Sequence, residues 1–195
     1  DGSTWSFVHK ANANLHGLVA LSADELIAVG DGGTVVHVEG ASLDEATTGN
    51  GSALRAVARM GDGAFIAVGD AGVALRSSDG TQWSLETTGT DYDLNAVWTR
   101  GSDVWAVGGR GTIMQRDVAG QWTDVSVRTT RGTLRAVAGA GERIFAMGSH
   151  ELVLGPLLGV PEDLVPAPGG ILTDSLSWTA RPGLDPHFSV IESAS

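Results

Sequence analysis

Apolar and polar residues alternate along this chain in short runs, and the runs recur. LIAVGDGGTVV begins at Leu26, FIAVGDAGVAL at Phe65, VWAVGGRGTIM at Val104 and IFAMGSHELVL at Ile144. Each alternating run closes on a glycine, at Gly30, Gly69, Gly108 and Gly148, with spacings of 39, 39 and 40 residues. A leucine upstream keeps the same register, at Leu15, Leu54, Leu94 and Leu134. Trp83 and Trp122 lie 39 apart, and Trp5 stands two periods before Trp83. Three independent markers therefore share one repeat.

Within a period the pattern predicts four strands. In the second copy they are LRAVARM, FIAVG, VALRS and QWSLETT, separated by the turns GDG, GDAG and SDGT. An AVG core flanked by β-branched and aromatic residues suits a sheet covered on both faces. Gly and Asp tolerate the left-handed backbone that tight reversals need. Four short antiparallel strands in about 40 residues form the blade of a β-propeller. One blade alone exposes two apolar faces, whereas copies set around an axis cover one another.

The expected fold is thus all-β: a small propeller of about four four-stranded antiparallel blades over residues 1–158. Gly17, Ala56, Ala96 and Ala136 share one position of the first strand and let innermost strands crowd together. After ELVLGP the fourth copy has no outer strand, while Trp5-Ser6-Phe7-Val8 falls in the outer-strand register with no blade before it. The N-terminal strand is expected to complete the last blade and close the ring. A solenoid of hairpins is the rival architecture, although its units are usually shorter. Residues 159–195 read as a linker followed by the strands SLSWTA and HFSVIES.

Composition narrows the function classes. A net charge of -11 argues against a basic face for nucleic acid or an anionic membrane surface. No apolar run approaches the roughly 18 residues of a membrane helix, so no membrane insertion is expected. The chain has no Cys, which excludes disulfides, thiolate catalysis and Cys-type zinc sites. It opens on Asp1 rather than Met, which reads as a processed or cut product. Export to the cell surface or beyond, or to a periplasm, is the expected location.

Ser77-Ser78-Asp79-Gly80-Thr81-Gln82-Trp83 resembles the Asp-box, or BNR, turn of sialidase-type propellers, one residue shorter than usual. The whole unit, LNAVWTRGSDVWAVGGRGTIMQRDVAGQW in its clearest copy, is similar to repeats of secreted bacterial propellers and of photosystem II assembly-factor propellers. The resemblance implies a propeller fold. A sialidase would add an arginine triad, a Tyr–Glu nucleophile pair and six blades. The single Tyr92 has no Glu that the motif assigns to it, so no catalytic residue is expected. The tail from Pro161 resembles the opening strands of a fibronectin type III or immunoglobulin-like sandwich, a fold that needs about 100 residues.

Two sets of polar residues recur with the repeat. His16, Arg55, Asn95 and Arg135 follow the leading leucines and are expected to ring a central channel, where they could hold an anion or carboxylate, or simply ordered water. Asp31, Asp70, Arg110 and His150 lie on the turns after the second strands, on one rim, where side chains vary over a constant scaffold. Trp98 replaces Ala58 and Ala138 of other copies and is a candidate for stacking on a ligand, whereas Trp105 reads as core. Asp91-Tyr92-Asp93-Leu94-Asn95 has calcium-loop spacing but lacks the later Gly and Glu, so no metal and no cofactor are expected. The resulting expectation is a non-catalytic propeller binding a protein or glycan through one rim. Its rival is a structural subunit that self-associates through residues 161–195.

Overall fold

The structure, a computed structural model, describes residues 4, 7, 10–127, 131–140, 143–149 and 152–157. The chain divides into two compact units, Asp1–Gly159 and Val160–Ser195. The second unit lies outside the described residues, and with it the expected strands SLSWTA and HFSVIES. Trp5, Ser6 and Val8 of the expected ring-closing strand also lie outside them.

The first unit is all β. Blade one is β1 (Leu15–Ala20), β2 (Glu25–Gly30), β3 (Thr34–Glu39) and β4 (Ser42–Thr47). Blade two is β5 (Leu54–Arg59), β6 (Phe65–Gly69), β7 (Ala74–Ser77) and β8 (Trp83–Glu86). Blade three is β9 (Leu94–Arg100), β10 (Asp103–Gly108), β11 (Ile113–Arg116) and β12 (Trp122–Asp124). Blade four shows β13 (Leu134–Ala140), β14 (Arg143–Gly148) and β15 (Leu152–Leu157), with no outer strand among the described residues. Each sheet is an antiparallel meander in chain order.

Blades stack face against face. β1 lies beside β5, β5 beside β9, and β9 beside β13, so the first strand of each blade is the innermost. A Cβ on Gly17 would stand 2.8 Å from the Cα of Ala56, which is why this position stays small. Between blades one and two, Ile27, Val29 and Val35 meet Leu54, Val57 and Leu75. Between two and three, Val68 and Ala74 meet Leu94, Ala106 and Met114, while Ile66 meets Val104. Between three and four, Val107 and Ile113 meet Leu134, Ala146 and Val153. Blades two to four thus each turn a leading face to their predecessor, and blades one to three each turn a trailing face to their successor.

The marker glycines have a steric cause. All four abut the carbonyl of the residue preceding the leading leucine: a Cβ would lie 2.0 Å from the oxygen of Asn14, Ala53 or Thr133, and 1.8 Å from that of Asp93. In every blade the next residue donates its N–H to that same carbonyl, from Asp31, Asp70, Gly109 and Ser149 at 2.8 to 3.0 Å. The second strand is thereby pinned to the entry of the first. Because the opposing atom is backbone, Gly108→Ala is expected to destabilise the fold by about 1–3 kcal/mol, as overpacking does, readable as a lowered urea midpoint. An unchanged midpoint would remove the steric account.

One expectation needs correction. The left-handed backbone in the turns after β2, β6 and β10 falls one residue beyond the acid, on Gly32, Ala71 and Arg110 (φ 63°, 53° and 55°), followed by Gly33, Gly72 and Gly111. Asp31 and Asp70 open a short 3-10 turn instead. Among the described residues, the leading face of blade one and the trailing face of blade four both expose apolar residues.

The turn Ser77–Trp83 is held by its own side chains. Ser77 Oγ accepts the N–H of Gly80 at 2.8 Å, and Asp79 Oδ1 accepts those of Thr81 and Gln82 at 2.8 and 2.9 Å. These backbone donors, Gln82 first and then Thr81, hold the Asp79 carboxyl well below the usual carboxylate range. Trp83 Nε1 closes the turn by donating to the Gly80 carbonyl at 3.1 Å.

Candidate functional site

Each innermost strand carries a β-bulge directly after its leading leucine. The ladder steps from Leu15 to Gly17, from Leu54 to Ala56, from Leu94 to Ala96 and from Leu134 to Ala136, leaving one residue unpaired each time. The unpaired residues are His16, Arg55, Asn95 and Arg135, the first of the two polar sets. A bulge re-aims its side chain out of the pleat. In blades one and two it points along the strand end, toward the turn that follows the second strand.

The two polar sets therefore meet in one place. His16 Nε2 donates to Asp31 Oδ1 at 2.6 Å, and Asn14 Nδ2 donates to Asp31 Oδ2 at 2.8 Å. Arg55 Nε donates to Asp70 Oδ1, and its NH2 group lies 3.5 Å from Asp93 Oδ2. Asp93 Oδ1 also accepts the N–H of Ala71 at 3.0 Å, tying the turn of blade two to the entry of blade three. That engagement occupies the carboxylate that calcium-loop spacing had offered. Asp31 also acts on Arg55, so the charges run His16, Asp31, Arg55, Asp70, Asp93 across two blade boundaries.

The pattern then changes. Asn95 turns away and donates to the Leu134 carbonyl at 2.8 Å, a link between blades three and four. Gly109 and Ser149 stand where blades one and two have Asp31 and Asp70. Arg110 belongs to the next turn position, that of Gly32 and Ala71, so it is not the counterpart of Asp70 although both lie on the same turn. Its guanidinium lies 5.2 Å from the ring centroid of Tyr92. Arg135 is exposed and, among the described residues, makes no ion pair. The turn bearing Arg110 adjoins the start of β13, which bears Arg135. His150 lies outside the described residues.

Trp98 sits elsewhere. Its ring is 5.4 Å from that of Trp105 across the β9–β10 pair, and a Cβ on Gly139 would lie 2.0 Å from it. It fills the seam between blades three and four, where Gly139 leaves room. An open groove of about 590 Å³ lies beside the first clasp, lined by Asn12, Thr34, Glu45 and Thr47 as well as Asp31. Among the described residues no three His, Asp or Glu side chains cluster as metal ligands.

Hydrogen bonds from His16, and then Asn14, hold the Asp31 carboxyl below its ordinary value. A folded-state pKa below the unfolded one contributes stability above about pH 3.8, lost as pH falls through the folded value. His16→Ala should return the Asp31 pKa toward 3.8, measured by carbon-detected NMR titration of that carboxyl. A value unmoved by the substitution would show that the clasp does not set it.

Fold and rim together define a β-propeller array with a charged, bulge-built rim. No protein-family model matches the chain, and no curated protein is found as a relative. Solved structures do match. YCF48 from Cyanidioschyzon merolae is 18% identical, with a TM-score of 0.51 over 73% of this chain and 56% of that one. Virginiamycin B lyase from Staphylococcus aureus is 15% identical, with a TM-score of 0.60 over 79% and 59%. YCF48 bound to D1 peptide is 16% identical, with a TM-score of 0.60 over 81% and 56%. The chain spans a little over half the length of these structures, and at such identities the likeness establishes the fold.

Proposed function

We propose that this chain is a non-catalytic, exported binding propeller that takes a carboxylate-bearing protein segment on its rim at blades three and four. One observation carries the reading. The repeat builds an acid–base clasp twice, His16–Asp31 and Arg55–Asp70, then keeps the base at Arg135 while placing Ser149 at the acid position. Arg110, seated on Tyr92, adds a second exposed cation on the adjoining turn. A ligand carboxylate at Arg135 would stand as Asp70 stands to Arg55. Support for a peptide as the ligand comes from the structural neighbour named as YCF48 bound to D1 peptide. A glycan is the other partner class compatible with such a rim.

The test is selection of binders from a displayed random peptide library. Acidic peptides are expected to enrich, and Arg110→Ala with Arg135→Ala should weaken the selected peptides by about tenfold or more per arginine, as charged hydrogen bonds imply. The melting temperature should stay unchanged, since both side chains are exposed. Enrichment of neutral peptides, or full binding by the double variant, would overturn the proposal. Turnover of fluorogenic glycosides that is lost in Tyr92→Phe would overturn its non-catalytic part.

A further inference from the structure

The repeat gives each surface position an internal control, because the same position recurs in four blades. Leu54, Leu94 and Leu134, on the leading faces of blades two to four, are all 0% exposed; their counterpart Leu15 on blade one is 44% exposed. Leu18, in the position of buried Val57, is 65% exposed. The opposite end mirrors this. Val29, Val68 and Val107 on trailing faces are fully buried, but Met147 of blade four is 56% exposed. Leu152, in the position of buried Val35, Ala74 and Ile113, is 75% exposed, and Phe145 beside it is also exposed. Ala28 and Val36 on the leading face of blade one are buried, so its open part is the innermost strand.

What covers these positions is shown three times inside the molecule: a leading face is covered by a trailing face. Val29 packs with Val57, Val68 with Leu94, and Val107 with Leu134. Among the described residues, one chain carries one unpaired face of each kind. We infer that two copies of this chain join head to tail, the trailing face of blade four on one (Phe145, Met147, Leu152) covering the leading face of blade one on the other (Leu15, Leu18).

The same contact repeated by a twofold axis buries both pairs of faces, and a closed ring of twice four blades falls within the range propellers use. The second copy is the occupant the structure favours because the two faces are complementary halves of a seam already built three times. Residues 161–195 are not needed for it, and neither is the rim reading.

The full 195-residue chain, examined by analytical ultracentrifugation across micromolar concentrations, is expected to sediment as a dimer. Leu18→Asp destroys only the leading face and Met147→Asp only the trailing face, so each variant alone should be monomeric. Mixed one to one, they should recover a dimer through the single seam left intact. Because the chain has no cysteine, Leu18→Cys with Met147→Cys in one chain should oxidise to covalent dimers. Leu18→Cys paired with Leu85→Cys, on an exposed outer strand, should not. A monomeric parent chain, dimers that survive both aspartate variants, or equal cross-linking by the Leu85 pair would each overturn the proposal.

Discussion

Truncating Trp105 to alanine is expected to cost about 3–5 kcal/mol, the range for removing a large core aromatic. Trp105 is buried in β10, where the other blades carry Ile27, Ile66 and Phe145. Its ring packs on Trp98, which in turn rests on the bare Cα of Gly139. Removing the inner ring leaves a void that Trp98 cannot fill without leaving the blade boundary. Against a typical domain stability of about 5–15 kcal/mol, the loss is large. Urea denaturation should show it as a lower midpoint with an unchanged slope. A cost below about 1 kcal/mol would mean that the two rings do not form one packed unit. Trp98→Ala should cost less, since Trp98 is only partly buried.

Glu86→Ala is the second large effect, expected at about 3 kcal/mol. Arg116 is buried, and its Nε and NH2 each donate to Glu86 at 2.7 Å, a two-pronged contact from β11 of blade three to β8 of blade two. Trp122 Nε1 donates to the same carboxylate at 2.9 Å. Removing the acid leaves a buried guanidinium without its partner, the costly case for a buried pair. Replacing both, as Glu86→Leu with Arg116→Met, should recover most of the loss, because no charge is then left in the interior. Failure to recover would point to Trp122 as the group that suffers.

The same pair sets an acid limb in stability. Burial by itself raises the Glu86 pKa, but the bonds from Arg116 and Trp122 outweigh it and the net shift is downward. Its contribution is therefore complete above about pH 4.5 and disappears as pH falls through the folded value. The parent should lose stability on acidification below about pH 5 more steeply than Glu86→Gln does.

Blade count, strand order and the buried Trp105 were legible because they rest on spacing, and steric contacts enforce spacing. Gly30 and its copies could be found as markers although the reason, a carbonyl pressed against each Cα, is visible only in three dimensions. The bulge was not legible. Leu-polar-small reads as plain alternation, and one residue dropped from a ladder leaves no trace in composition. The two polar sets were consequently read as a channel lining and a separate rim, whereas the bulge brings Arg55 onto Asp70. Arg110 was grouped with Asp70 because both lie on the turn after the second strand, but Gly109 holds the place of Asp70 and Arg110 stands one residue further along. Trp98 looked like a ligand platform because its counterparts are small; the glycine that receives it lies in another blade, 41 residues on.

Stacking in a row also governs how the molecule comes apart. Each blade leans only on those beside it, so the array behaves as a chain of coupled units. Among the described residues, blades two and three each have a blade on both sides, while one and four each have a blade on one side. In the monomeric Met147→Asp variant, amide protons of β6 and β10 should accordingly exchange last, and those of the outermost sheets first. Loss of structure then proceeds as fraying inward from both ends, and whatever seats itself on an end blade slows the whole process.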